Sequence, residues 1–141
     1  MQALSAEWPM SLDGRLLMAH LTQYTNMIDW EDLAQSQIAE IQRELPASIR
    51  ACATEVPVFF SRTRAGQRGK WLGVFEGCSL MAGPPALPVE MPRITLFIDT
   101  LAEAANYQKT AFMREVRTTY LHELGHYFGW DEEQIARVGL A

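Results

Sequence analysis

Two histidines of this chain lie four residues apart in the stretch TTYLHELGHYFG, residues 118–129. They are His122 and His126, Glu123 directly follows the first, and the whole chain has only three histidines. On an α-helix the two imidazoles would point within about 40° of each other. Imidazoles so placed can bind one tetrahedral Zn²⁺, and an adjacent carboxylate can take a proton from a metal-bound water. The pattern H-E-x-x-H is typical of metalloproteases.

The residues before the histidines predict the helix that this chemistry needs. We predict that it begins near Thr110 and ends at Gly129. The two histidines share one strip of this helix with Glu115 and Thr119. The other side has an apolar row at i, i+4 spacing, made of Phe112, Val116, Tyr120 and Leu124. The helix should therefore bury the apolar row and turn its histidines away from it.

A third metal ligand is expected after Gly129, because a glycine can adopt positive φ and fold the chain back. The sequence WDEEQI follows, and Glu132 lies ten residues after the first histidine. We predict Glu132 as the third ligand and keep Asp131 as the alternative. Asp131 has a competing role, since Gln134 makes it a candidate helix N-cap with a capping-box partner. His20 belongs to an unrelated segment, and we do not expect it to bind the metal.

Other residues are candidates for the remaining roles in such a reaction. Glu123 is the expected general base, and Tyr107 and Tyr127 are candidate donors to an oxyanion. Tyr120 is expected on the apolar side of the helix. A substrate could pair with the edge of a sheet, and the segment RITLFI is the candidate strand. An ordinary core strand is nevertheless the favoured interpretation of that segment.

One further helix and three short strands are predicted elsewhere. DWEDLAQSQIAEIQRELP predicts a helix that starts at Asp29 and stops at Pro46. The strands are expected at residues 55–61, 71–77 and 93–101. Basic residues and glycines at 61–70 predict a solvated loop, and the prolines of 79–92 predict an irregular segment.

The composition predicts one globular domain, since 141 residues with 48% hydrophobic residues can bury a core. The net charge of −5 argues against nucleic acid or an anionic membrane surface as partner. We see no secretory signal and no apolar run that could span a bilayer. A cytoplasmic protein is therefore expected, monomeric by default, with Cys52 and Cys78 as reduced, small buried hydrophobes.

With these motifs the chain resembles a small bacterial family of zincin-like metallopeptidases, long described as a domain of unknown function. The resemblance rests on WLGVFEG, PRITLFIDTL and above all EVRTTYLHELGHYFGWDEEQI. It implies an α+β fold, a minimal zincin-like domain in which a small mixed β-sheet packs on the HExxH helix, with additional helices. That domain would span residues 29–141, after an N-terminal extension at 1–28.

The resemblance implies that His122 and His126 bind zinc, that Glu123 is the general base and that an acid of DEE completes the site. The Met-turn of metzincins is missing, since no methionine follows residue 113. The predicted function is zinc-dependent hydrolysis of a peptide or an unfolded protein segment. The alternative is an interaction module that binds the metal without catalysis, although such a module has no need of Glu123. A domain that binds no metal would require the histidine spacing to be accidental.

Overall fold

The computed structural model describes residues 27–62 and 71–137, and in these ranges it has the predicted α+β fold. The helices are α1 (Trp30–Glu44), α2 (Ala47–Ala53), α3 (Ile98–Ala104), α4 (Lys109–Tyr127) and α5 (Glu132–Arg137). The strands are β1 (Val58–Ser61), β2 (Gly73–Glu76) and β3 (Arg93–Phe97), and two 3₁₀ turns cover Leu80–Ala82 and Pro88–Glu90. No helix in these ranges is long and apolar enough to cross a membrane. His20 and most of the predicted basic loop lie outside the described residues.

The first predicted helix is confirmed as α1. The Asp29 side chain caps it by accepting a hydrogen bond from the backbone N–H of Asp32, at 3.0 Å. The helix ends at Glu44, shortly before Pro46, which cannot continue it. Its buried residues are Ala34, Ile38 and Ile41. Their helical spacing turns one face of α1 onto α4, so α1 shares the main core.

The three strands form one mixed sheet in the order β1-β3-β2. β1 runs parallel to β3, whereas β2 runs antiparallel to it. Ile94 and Leu96 of β3 are fully buried. β3 is therefore the central, core strand, and RITLFI cannot offer a free edge to a substrate. The strand with an edge beside α4 is β2.

The strand predicted at 93–101 is too long, because it ends at Phe97 and the chain continues as α3. The β-branched residues Ile98 and Thr100 extended the strand pattern. The following LAEAA consists of good helix formers, and Leu101 and Ala102 are buried from the helix. Helix propensity and burial therefore make this segment a helix, although Ile98 and Thr100 favour a strand.

Helix α4 lies at the centre of the molecule and packs against α1, α3, α5, β2 and β3. Its predicted apolar row is confirmed, since Phe112, Val116, Tyr120 and Leu124 are all buried. The strip that contains the histidines is not fully open to solvent, because Thr119 on that strip is only 7% exposed. The sheet thus covers part of the helix face that the apolar pattern left unassigned.

Cys52 and Cys78 are free and half-buried.

We predict that Tyr120→Phe lowers the free energy of unfolding by about 0.5–1.5 kcal/mol. Gln42 donates a hydrogen bond of 2.9 Å to the hydroxyl of Tyr120, whose ring is fully buried. The same burial raises the pKa of Tyr120, so its hydroxyl stays a neutral hydrogen-bonding group. Urea denaturation measures the loss, and Tyr107→Phe is the control because Tyr107 is 60% exposed. Equal stability changes in the two variants would contradict the prediction.

Candidate metal centre

The two histidines of α4 lie one helical turn apart and face the same point. Their ring centroids are 4.9 Å apart, with the ring planes at 82°. The Nε2 atoms of His122 and His126 each lie 3.2 Å from Oε1 of Glu132. About a third of each histidine side chain is exposed, so the three groups meet at the wall of an open cleft.

The turn after α4 brings Glu132 to the histidines. Gly129 has a φ of +82°, the left-handed conformation that the sequence predicts there. The N–H of Gly129 donates to the carbonyl of His126, and the N–H of Trp130 donates to that of Gly125. The chain therefore reverses within a few residues, and α5 starts with Glu132 beside the end of α4.

Asp131, the alternative third ligand, does not belong to this group of side chains. Its carboxylate accepts the backbone N–H of Gln134 at 2.8 Å, and the Gln134 side chain accepts the N–H of Asp131 at 2.8 Å. This is the capping box that the sequence predicted. Asp131 thus begins α5 and points its neighbour, Glu132, at the histidines.

The geometry of the three groups fits a tetrahedral zinc ion. Their ligand atoms all lie within 4.8 Å of one another. A tetrahedral ion with bonds of 2.0–2.1 Å separates its ligand atoms by about 3.3 Å, and the two nitrogen–oxygen distances here are 3.2 Å. Two imidazole nitrogens and one carboxylate oxygen are also a donor set that catalytic zinc sites use. His122, His126 and Glu132 could therefore hold zinc and leave a fourth position open.

Glu123 lies in the same cleft, next to the three candidate ligands. Burial raises the pKa of its carboxyl above the ordinary value. His126, His122 and a hydrogen bond from the backbone of Phe75 oppose this rise, whereas Glu132 adds to it. A carboxylate with a raised pKa is a better proton acceptor than an exposed one, so Glu123 is suited to act as a base.

Among the described residues β2 pairs only with β3, so its other edge is free, and the strand lines this cleft. The N–H of Phe97 donates to the carbonyl of Leu72, so these two residues form a hydrogen-bonded pair across the antiparallel strands. Hydrogen-bonded and non-hydrogen-bonded pairs alternate along such strands. Val74 and Glu76 then point their backbone groups at β3, whereas Gly73 and Phe75 point theirs away from it. The backbone of Phe75 lowers the pKa of Glu123, which agrees with that direction. The edge strand therefore lines the cleft beside the candidate base.

The cleft has a volume of about 570 Å³. One wall is the segment 71–75, and the other is the α4 face that contains the histidines. No lysine or arginine of the described ranges lines it, whereas Glu123 and Glu132 both do. Sequence reasoning missed the wall at 71–75, because nothing in a short strand indicates which element it will cover.

The tyrosines named as candidate oxyanion donors do not line the cleft. Tyr107 is exposed and its ring contacts Trp30, at the far end of α4 from the histidines. Tyr127 is buried and borders a different cavity, together with Glu55 and Cys78. Glu115 shares the histidine strip but also does not line the cleft. Helical position alone could not show which side chains the sheet covers.

We predict that Gly73→Ala lowers the free energy of unfolding by about 1–3 kcal/mol through overpacking. A Cβ at this position would lie 2.7 Å from Cγ2 of Thr119 and 3.0 Å from Cδ2 of Leu96. β2 can therefore approach α4 only because Gly73 has no side chain. Thr119→Ser removes the closest of these atoms, so the same change should cost less in that background. Denaturation of all four proteins without metal tests this, and equal losses in the two backgrounds would contradict it.

The α+β fold, with a helix that contains HExxH under the edge strand of a mixed sheet, defines a zincin-like class of protein. A family model described as zincin-like metallopeptidase matches residues 49–140, which is more than half of the chain. The chain therefore belongs to the zincin-like metallopeptidase family, as the sequence resemblance implied. The match starts inside α2, so α1 precedes it. A comparison with curated proteins finds no match.

Proposed function

We propose that this protein is a zinc-dependent metallopeptidase in which His122, His126 and Glu132 bind the metal and Glu123 is the general base. The observation that supports it most directly is the meeting of three candidate ligands, in which Glu132 lies 3.2 Å from each of the two imidazoles and Glu123 lies in the same cleft. The family of the chain supports the same class of reaction.

Zinc, when bound, would lower the pKa of a water and polarise the scissile carbonyl. Glu123 would take a proton from the attacking water onto a carboxylate oxygen and later deliver it to the leaving amine. The backbone of Phe75 lies on the facing wall of the cleft and lowers the pKa of that carboxyl. The burial that raises the pKa of Glu123 favours uptake of the proton from the water and lets the carboxyl hold it until the amine leaves.

The substrate we propose is an extended peptide or an unfolded protein segment. The outward-facing backbone groups of Gly73 can pair with such a chain, as the edge of a sheet does in strand addition. Leu72 and Val74 provide apolar contacts on the same wall, and the acidic cleft disfavours negatively charged side chains. We therefore expect uncharged or basic residues to be preferred around the scissile bond. The cytoplasmic location and monomeric state stay predictions from the sequence.

Metal analysis and a peptidase assay on the purified chain test this function. We expect about one zinc per chain, and cleavage of an unfolded test protein that stops with a chelator and returns when zinc is added. Zinc binding without cleavage of a broad peptide library would instead favour the metal-binding interaction module. A chain that binds no zinc would remove both functions.

A further inference from the structure

We propose that Gly125 and Ile135 are positioning residues that set the place of Glu132 at the metal. Gly125 lies in the interior of α4, between the two histidines, and it is buried. Ile135 occupies the space that a side chain at position 125 would fill. This inference rests on the proposed metal site, and it adds a reason why the acid of α5 reaches that site.

The contact between Gly125 and Ile135 is too close for any side chain at position 125. A Cβ there would lie 2.7 Å from Cγ1 and 2.9 Å from Cδ1 of Ile135, closer than real Cβ contacts come. Glycine is also less favourable than alanine in the interior of a helix. Its presence at this position is therefore best explained by the packing of α5 against α4.

Ile135 is the residue that ties α5 to the core. It is fully buried and is the only buried residue within Glu132–Arg137. Glu132 precedes it by three positions, so both side chains point from neighbouring faces of α5 towards α4. The Glu132 side chain is 69% exposed, so little other packing restrains it. The backbone position of α5, which Ile135 fixes, therefore decides whether Glu132 stays 3.2 Å from both imidazoles.

The first test compares zinc affinity in Gly125→Ala, Glu132→Ala and the double variant, by competition with a chromophoric chelator. We expect Gly125→Ala to weaken binding by about 10- to 100-fold, as loss of an orienting partner does at metal sites. In the Glu132→Ala background the same change should have less than about a twofold effect, since the ligand it positions is absent. The Co²⁺ absorption spectrum should also change with Gly125→Ala, because one ligand is lost. Unchanged affinity, or equal effects in both backgrounds, would overturn the inference.

The second test restores the fit by removing atoms from Ile135. In Gly125→Ala/Ile135→Ala the nearest remaining atom would be Cβ at 3.7 Å, an ordinary contact. We expect this double variant to bind zinc at least as tightly as Ile135→Ala alone. A further tenfold loss would overturn the steric explanation.

Ile135→Ala also keeps the inference testable if Gly125→Ala does not fold. It should weaken zinc binding. Leu101→Ala is the control, because it also creates a cavity at a fully buried residue, but in α3, and it should leave zinc binding unchanged. Equal zinc affinity in these two variants would contradict the inference. If the wild-type protein bound no zinc, the proposed metal site itself would be wrong. If Gly125→Ala folded and bound zinc as tightly as the wild-type protein, only this inference would be overturned.

Discussion

Replacing Glu123 with glutamine should reduce peptide hydrolysis by about 10²–10⁴-fold, the usual contribution of a general base. Zinc content should stay at the wild-type level, because Glu123 is not among the three groups whose ligand atoms meet. Glutamine has the shape of glutamate, so the packing of the cleft should be kept. It cannot accept the proton of the attacking water. A loss of kcat at constant zinc occupancy would therefore show that Glu123 acts as the base and is not a zinc ligand.

Glu133→Gln is the matched control for this variant. It removes the same charge at the residue that follows Glu132, and Glu133 is exposed and pairs with Arg137 at 2.6 Å. Its activity should stay within about twofold of wild type, since exposed ion pairs contribute little. If Glu123→Gln also lost zinc, its assignment as a base rather than a ligand would be wrong. Comparable activity in the two variants would exclude Glu123 as the base.

The arrangement of the candidate ligands was predictable from sequence because most of it depends on local geometry. The i, i+4 spacing of His122 and His126 on a helix fixes their relation without any tertiary contact. The turn at Gly129 is equally local, since its positive φ of +82° favours glycine. Together these features limited the third ligand to the few acids after the turn. The capping box of Asp131 then favoured Glu132, the acid that the structure brings to the histidines.

The features that sequence reasoning missed depend on contacts between distant residues. The pattern of β3 favoured a core strand, which is confirmed, but strand order is tertiary, and the sequence did not show that β2 would be the edge strand beside α4. The close approaches at Gly73 and Gly125 involve Thr119 and Ile135, and no local pattern relates these pairs. Helix α2 was not predicted either, since its seven residues have too few turns for a clear period.

Glu132→Ala should weaken zinc binding by at least about a hundredfold, because even loss of a residue that only orients a ligand costs 10- to 100-fold. The histidines alone would leave two coordination positions to water or buffer. Peptidase activity should fall with zinc occupancy and return in part at high zinc concentration. Isothermal titration with zinc and the Co²⁺ spectrum measure the loss of the ligand directly.

Asp131→Asn tests the alternative ligand without disturbing the turn. Asparagine caps helices about as well as aspartate, so α5 should begin at the same place and keep Glu132 beside the histidines. We therefore expect wild-type zinc affinity in this variant. Asp131→Ala should reduce stability by about 0.5–2 kcal/mol through loss of the cap. A hundredfold loss of zinc affinity in Asp131→Asn, with Glu132→Ala unaffected, would instead assign the metal to Asp131, because only the charge and the donor atom differ between aspartate and asparagine.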